Sequence, residues 1–219
     1  DRIAKEKAAA EAAAKLKAEQ EALAKKQAEE AAAKAAAEAK AKAEAERLAK
    51  EKAAAEAMAK AKAAYNAGKL EETHFALQQA MQEVDLIIGK EVLKLLPPKM
   101  DTMNVNAKED NVSSNIGYVG ATIRRVYGKY ARKADLTIIS NSPLVAMINT
   151  VLNAPMMGGM LNDGKTKTVK VQGYKARLEK QEGSAEGIIN YELQVPLGSA
   201  LITFKVNDCT DTQILAMAE

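Results

Sequence analysis

From Arg2 to Ala64 the chain contains neither Gly nor Pro and is built almost wholly from Ala, Lys, Glu, Gln and Leu. These residues have the strongest intrinsic preference for helix. The segment therefore predicts one continuous helix of about 65 residues, roughly 100 Å long at 1.5 Å per residue. Glu precedes Lys by four positions at Glu11 and Lys15, Glu21 and Lys25, Glu30 and Lys34, Glu38 and Lys42, Glu46 and Lys50, and Glu56 and Lys60. Each such pair contributes about 0.2 to 0.5 kcal/mol to an isolated helix, so the set supports a helix with little tertiary packing. Ala supplies 30 of the first 64 residues, and its methyl buries little area. A hydrophobic core must come from the chain after Tyr65, where one compact domain of about 100 to 150 residues fits.

Leu16, Leu23, Met58 and Tyr65 share one heptad position, but Glu30, Glu44 and Glu51 hold the same position between them. A sustained coiled coil needs apolar residues at both core positions. Three arrangements stay open: a strong coiled coil, an isolated or loosely associated helix, and an Ala-faced packing inside a larger assembly. At AYNAGKLEE, Asn66 and Gly68 supply a helix stop, and a second helix resumes at Leu70. Leu70, Phe75, Leu77, Met81, Val84, Ile88 and Leu95 are expected near one face of it, and Pro97 and Pro98 end it. The bend and second helix read like one tetratricopeptide-like unit, which cannot bury its own face and should pack on the following domain or on another copy.

Beyond Lys99 the hydrophobic period changes from 3.6 to 2. Ala134, Leu136 and Ile138 alternate in one strand, Ile189, Tyr191, Leu193 and Val195 in a second, and Ile202, Phe204 and Val206 in a third, with PLGSA as a hairpin turn between the last two. ATIRRVYGK predicts a further strand. TVKVQGYKARLEK predicts another, changing faces at Gly173 through a bulge. Ser142 followed by Pro143 begins a helix to Asn153, and TDTQILAMAE begins the last one. The expected class is α+β: residues 1–66 a long helix, 67–98 the second helix of a hairpin, and 99–219 an antiparallel sheet with helices on one face.

The Ala, Lys and Glu rich segment of residues 1–64 resembles the middle region of TolA-type periplasmic proteins. NIGYVGATIRRVYGKY, ISNSPLVAMINTVLNAPMMGGM and VQGYKARL, within residues 66–219, resemble a family of uncharacterised exported bacterial proteins with a short helical hairpin and a Pro-rich break. The resemblance implies a periplasmic or exported location in the bacterial envelope, and it supplies no catalytic residues to carry over. The chain begins at Asp1, which is read as a processed or truncated N-terminus, with any signal peptide already removed.

Little chemistry is visible in the residues. Gly159 to Thr166, GMLNDGKT, matches the phosphate-gripping pattern G-x-x-x-x-G-K-[ST]. That pattern works only between a strand and a helix whose N-terminus receives phosphate, and here it stands between a helix and a strand. It is read as a turn, and no nucleotide is expected. The net charge of +3 arises in residues 1–66, with 15 basic against 12 acidic residues, and the remainder balances at 17 against 17. The basic residues alternate with acids, which argues against nucleic acid.

His74 is the single histidine and is placed on the surface or at an interface. Cys209, the single cysteine, forms no internal disulfide and is read as a packed side chain. Glu109, Asp110, Asp208 and Asp211 lack the spacing of a calcium loop. Met147, Met156, Met157 and Met160 could hold copper(I), but thioethers more often fill adaptable contact surfaces. No cofactor, metal or transmembrane segment is expected.

The combined expectation is a non-enzymatic structural or scaffold protein of the envelope, a homo-oligomer or the partner of another envelope protein. Its contacts are assigned to Phe75, Leu77 and Met81 on the hairpin and to Met156, Met157 and Met160 in the loop. The alternative is a small-molecule or lipid binding module, its apolar pocket enclosed by the sheet and the helix from Pro143 to Leu152.

Overall fold

A computed structural model describes residues 2–114, 120–129, 132–153, 164–183 and 187–219, with side chains from Lys15 onward. Helix α1 runs from Arg2 to Asn66 and helix α2 from Leu70 to Leu95. The chain divides into two compact units, Asp1–Ala49 and Lys50–Glu219. In the first, every side chain from Lys15 to Ala49 is exposed, as expected for a helix held by its own propensity. The second contains the hairpin and the sheet together.

Seven strands form one antiparallel sheet: β3 (Asn111–Ser114), β4 (Ala121–Lys129), β5 (Arg132–Ile139), β6 (Thr166–Val171), β7 (Tyr174–Glu182), β8 (Ile189–Leu197) and β9 (Ala200–Val206). Their order across the sheet is β3-β4-β5-β9-β8-β7-β6. Two-residue strands β1 (Lys99–Met100) and β2 (Met103–Asn104) pair separately. Cross-strand partners such as Leu136, Phe204, Leu193 and Leu178 stack on one face and form the core with Tyr127, Val206 and Ile214. The opposite face carries Arg124, Asp135, Lys205, Glu192 and Arg177, the alternation that lets one side of an antiparallel sheet meet water.

Two expectations are corrected. Thr166–Glu182 is not one bulged strand but a hairpin, β6 and β7, turned by Gln172 (φ 46°) and Gly173 (φ 88°). Positive φ at both central residues is what a two-residue hairpin loop requires. Inserting two residues changes the parity of the inward positions, from Val169 and Val171 to Tyr174 and Ala176, as a bulge would. The helices of the sheet domain also do not share a face. Helix α3 (Leu144–Asn153) packs Val145, Ile148 and Leu152 against Leu201, on the polar side, whereas α4 (Asp211–Ala218) sends Ile214 into the main core. Both are capped as their sequences suggest: the Ser142 hydroxyl accepts from the Leu144 N–H, and Thr210 and Gln213 form a capping box.

The hairpin is fastened to the sheet where Pro97 and Pro98 break α2. Three successive carbonyls just past the helix end find donors: Leu96 accepts from Arg125 Nη1 at 2.9 Å, Pro97 from the Tyr127 hydroxyl at 3.0 Å, and Pro98 from the Val105 N–H at 3.0 Å. Arg125 is held in turn by a two-pronged pair with Asp110, at 3.2 and 2.7 Å. The Asp110 hydrogen bond raises the Arg125 pKa further, so the guanidinium stays charged. About two turns earlier Gly89 lets α2 lie close on β3 and β4, since a Cβ there would come within 2.5 Å of Val112 Cγ1.

The Arg125 and Asp110 side chains are only 12% and 13% exposed. Asp110→Ala would leave the guanidinium nearly buried without its counter-charge, and is expected to lower stability by roughly 2 to 3 kcal/mol in urea unfolding. A loss below about 0.5 kcal/mol, typical of a surface pair, would show that the fastening does not depend on this ion pair.

Candidate functional site

The end of α1 and the start of α2 meet through small residues. Ala54, Ala57 and Ala61 are buried on α1, and Ala76 and Ala80 on α2. Lys50 Nζ reaches Glu83 at 3.2 Å across the pair. Methyl-sized side chains let the two helices approach closely but bury little apolar area each. Further along, α2 turns a second flank to the sheet through Gly89, against Val112, Ala121 and Ile123.

A third flank of α2 is covered by none of the described residues. Leu70, Leu77, Met81, Val84, Ile88 and Leu95 are exposed along it, Leu70 by 66% and Leu95 by 83%. Phe75 is also exposed but does not share this flank. At 100° per residue it lies about 120° from Met81, and it lines a shallow groove with Lys60, Ala63 and Ala67 on another side of the hairpin. The expected single face of Phe75, Leu77 and Met81 is therefore split in two. The remaining residues follow one another at steps of 7, 4, 3, 4 and 7, a spacing to which Phe75 does not belong.

A second feature lies on the core face of the sheet. An apolar cavity of about 270 Å³ opens between Leu96 and Met100 on one side and Met217 and Ala218 of α4 on the other, floored by Leu193, Val195, Ile202 and Phe204. Gln172 and Tyr174 are the only residues with polar side chains among its lining. The expected pocket beneath α3 is not this one, because α3 packs on the opposite face.

The remaining candidates are engaged elsewhere. Lys133 Nζ donates to Glu109 at 2.9 Å, and Lys167 pairs with Asp211 at 2.6 Å. On the polar face Glu192 accepts from Lys205 at 3.0 Å, Gln194 at 2.8 Å and Gln181 at 3.3 Å. Burial pushes the half-buried Cys209 thiol up to about 11, so at neutral pH it is a thiol rather than a nucleophilic thiolate. His74 is exposed on α2. Gly164 (φ 78°) leads through Lys165 into strand β6, so no helix N-terminus follows GMLNDGKT. Met147 is exposed on α3, while Met156, Met157, Met160 and most of NIGYVG lie outside the described residues.

Among the described residues no group of three or more His, Cys, Asp or Glu side chains is placed to hold a metal, and no helix is long and apolar enough to cross a membrane. Compared with protein-family models, with curated proteins and with solved structures, the chain matches none of them.

Proposed function

We propose that this chain is a non-enzymatic structural or scaffold protein of the bacterial envelope. It self-associates through its helical part, while the α+β domain makes specific protein contacts. The observation that carries the reading is the unpartnered apolar flank of α2. It offers on the order of 500 Å² of apolar surface, near the upper end of what a monomer usually exposes in one patch. The long solvated helix α1 supports it, since 65 residues of Ala, Lys and Glu rich helix add reach and little core. The envelope location rests on the resemblance of that helix to TolA-type proteins and of the domain to exported bacterial proteins.

Sedimentation velocity on the whole chain over a wide concentration range tests this. A sedimenting mass that rises to a defined multiple of 23.4 kDa is expected. A single 23.4 kDa species at every concentration would overturn self-association.

The apolar cavity favours a second reading, a binding module for a small apolar molecule or lipid. Its volume stands just below the roughly 300 to 1,000 Å³ of ordinary ligand sites and suits a short acyl chain. Native mass spectrometry should then show an apolar adduct that disappears in Ile202→Trp, where the indole occupies the cavity. Bare polypeptide mass from both proteins would exclude this reading.

A further inference from the structure

Along the exposed flank of α2 the residues at alternating steps of four and three are Leu70, His74, Leu77, Met81, Val84, Ile88, Glu91 and Leu95, and all eight are exposed. This is the spacing of the two core positions of a coiled coil. The order of chemistry along it is symmetric: apolar, polar, four apolar, polar, apolar. Reversing the helix therefore lays like upon like.

We propose that this flank is the seam of a dimer between two copies of the chain, with the two α2 helices antiparallel about a two-fold axis between Met81 and Val84. The inference rests on the self-association reading above and names its surface. In this register Leu70 faces the partner's Leu95, Leu77 the partner's Ile88, and Met81 the partner's Val84. The two polar positions meet each other, the His74 imidazole against the partner's Glu91 carboxylate. Beside the seam, Glu71 comes opposite the partner's Lys94. Each of these pairs occurs twice, as a two-fold axis requires.

The alternatives fit less well. A parallel pair would set Glu91 against Glu91 and His74 against His74. Shifting the antiparallel register by one heptad either way would set His74 against Val84 or Glu91 against Met81, and would leave a terminal Leu without a partner. Burying the flank from both copies removes on the order of 1,000 Å² from water, the lower bound for a specific interface. Within one chain Glu91 bonds to Lys94 at 2.7 Å and its side chain stays 52% exposed, and His74 is exposed too, so both ends of the cross-pair lie at the surface.

The test is sedimentation equilibrium on the full chain carrying charge changes at the two polar positions. His74→Glu puts two carboxylates face to face at both ends of the seam and should weaken the dimer at least about tenfold. Adding Glu91→Lys to His74→Glu restores an opposite pair in the antiparallel register, and should recover most of the lost affinity. Met81→Asp, at the centre, should abolish the dimer. All three positions are exposed, and an unchanged helical circular dichroism melt would show that the fold is intact.

Failure of the double variant to recover would overturn the antiparallel register. A chain that self-associates equally well with Met81→Asp would overturn the seam and leave self-association standing. A wild-type chain that remains monomeric would overturn both.

Discussion

The organisation of Lys50–Glu219 depends on how α2 is stopped. Two consecutive prolines end the helix at Leu95, and the three carbonyls that follow it find their partners outside the helix. Arg125, Tyr127 and the Val105 N–H take the carbonyls of Leu96, Pro97 and Pro98 in order. Two of these donors are side chains of the central part of β4, and one is anchored by Asp110. Tyr127 is fully buried, which raises its pKa and keeps the hydroxyl protonated as a donor. The hairpin is thus seated on the sheet by polar contacts of fixed direction, which set the rotation of α2 about its own axis. That rotation decides which flank remains outside.

A helix held in this way has three flanks with three different fates. One meets α1 through Ala, where close approach replaces bulk. The second meets β3 and β4, where Gly89 permits contact with Val112 and Ile123. The third carries most of the large apolar side chains of α2 and is covered by neither. A stable monomer would ordinarily turn its largest side chains toward its own core. On α2 the fully buried residues are Ala76, Ala80 and Gly89, while six large apolar residues of one flank face water, the arrangement expected when a helix is built for a partner outside its own fold. The heptad spacing and the mirrored placement of His74 and Glu91 give that partner a geometry.

Much of the fold can be read in the sequence because its signals are local. Gly and Pro are absent across Arg2–Ala64, Asn66 and Gly68 mark the bend, Pro97 and Pro98 mark the stop, and period-2 runs mark β5, β8 and β9. The misreadings concern relations between segments. A parity change at Gln172 and Gly173 fits either a bulge or a two-residue turn, and only strand pairing separates them. The side of the sheet taken by α3 depends on Leu201, an inward-facing residue of the polar face that alternation alone does not distinguish from its neighbours. Strand β3 is too short and polar, NVSS, to show a period. On α2 the expected face combines Phe75 with Leu70, Leu77, Met81, Val84, Ile88 and Leu95, whereas Phe75 belongs to another flank and the helix buries Ala and Gly.

The antiparallel pairing of α2 with a second α2 is tested most directly by a distance between copies. A nitroxide label at Ala67→Cys, in the hairpin bend, with Cys209→Ala to remove the native thiol, can be measured by pulsed electron resonance. An antiparallel seam centred between Met81 and Val84 puts the two bends at opposite ends, so the distance should be about 40 Å or more at 1.5 Å per residue. A distance below about 25 Å would mean that the helices run parallel, and the absence of any defined distance would mean that the flank does not join two copies.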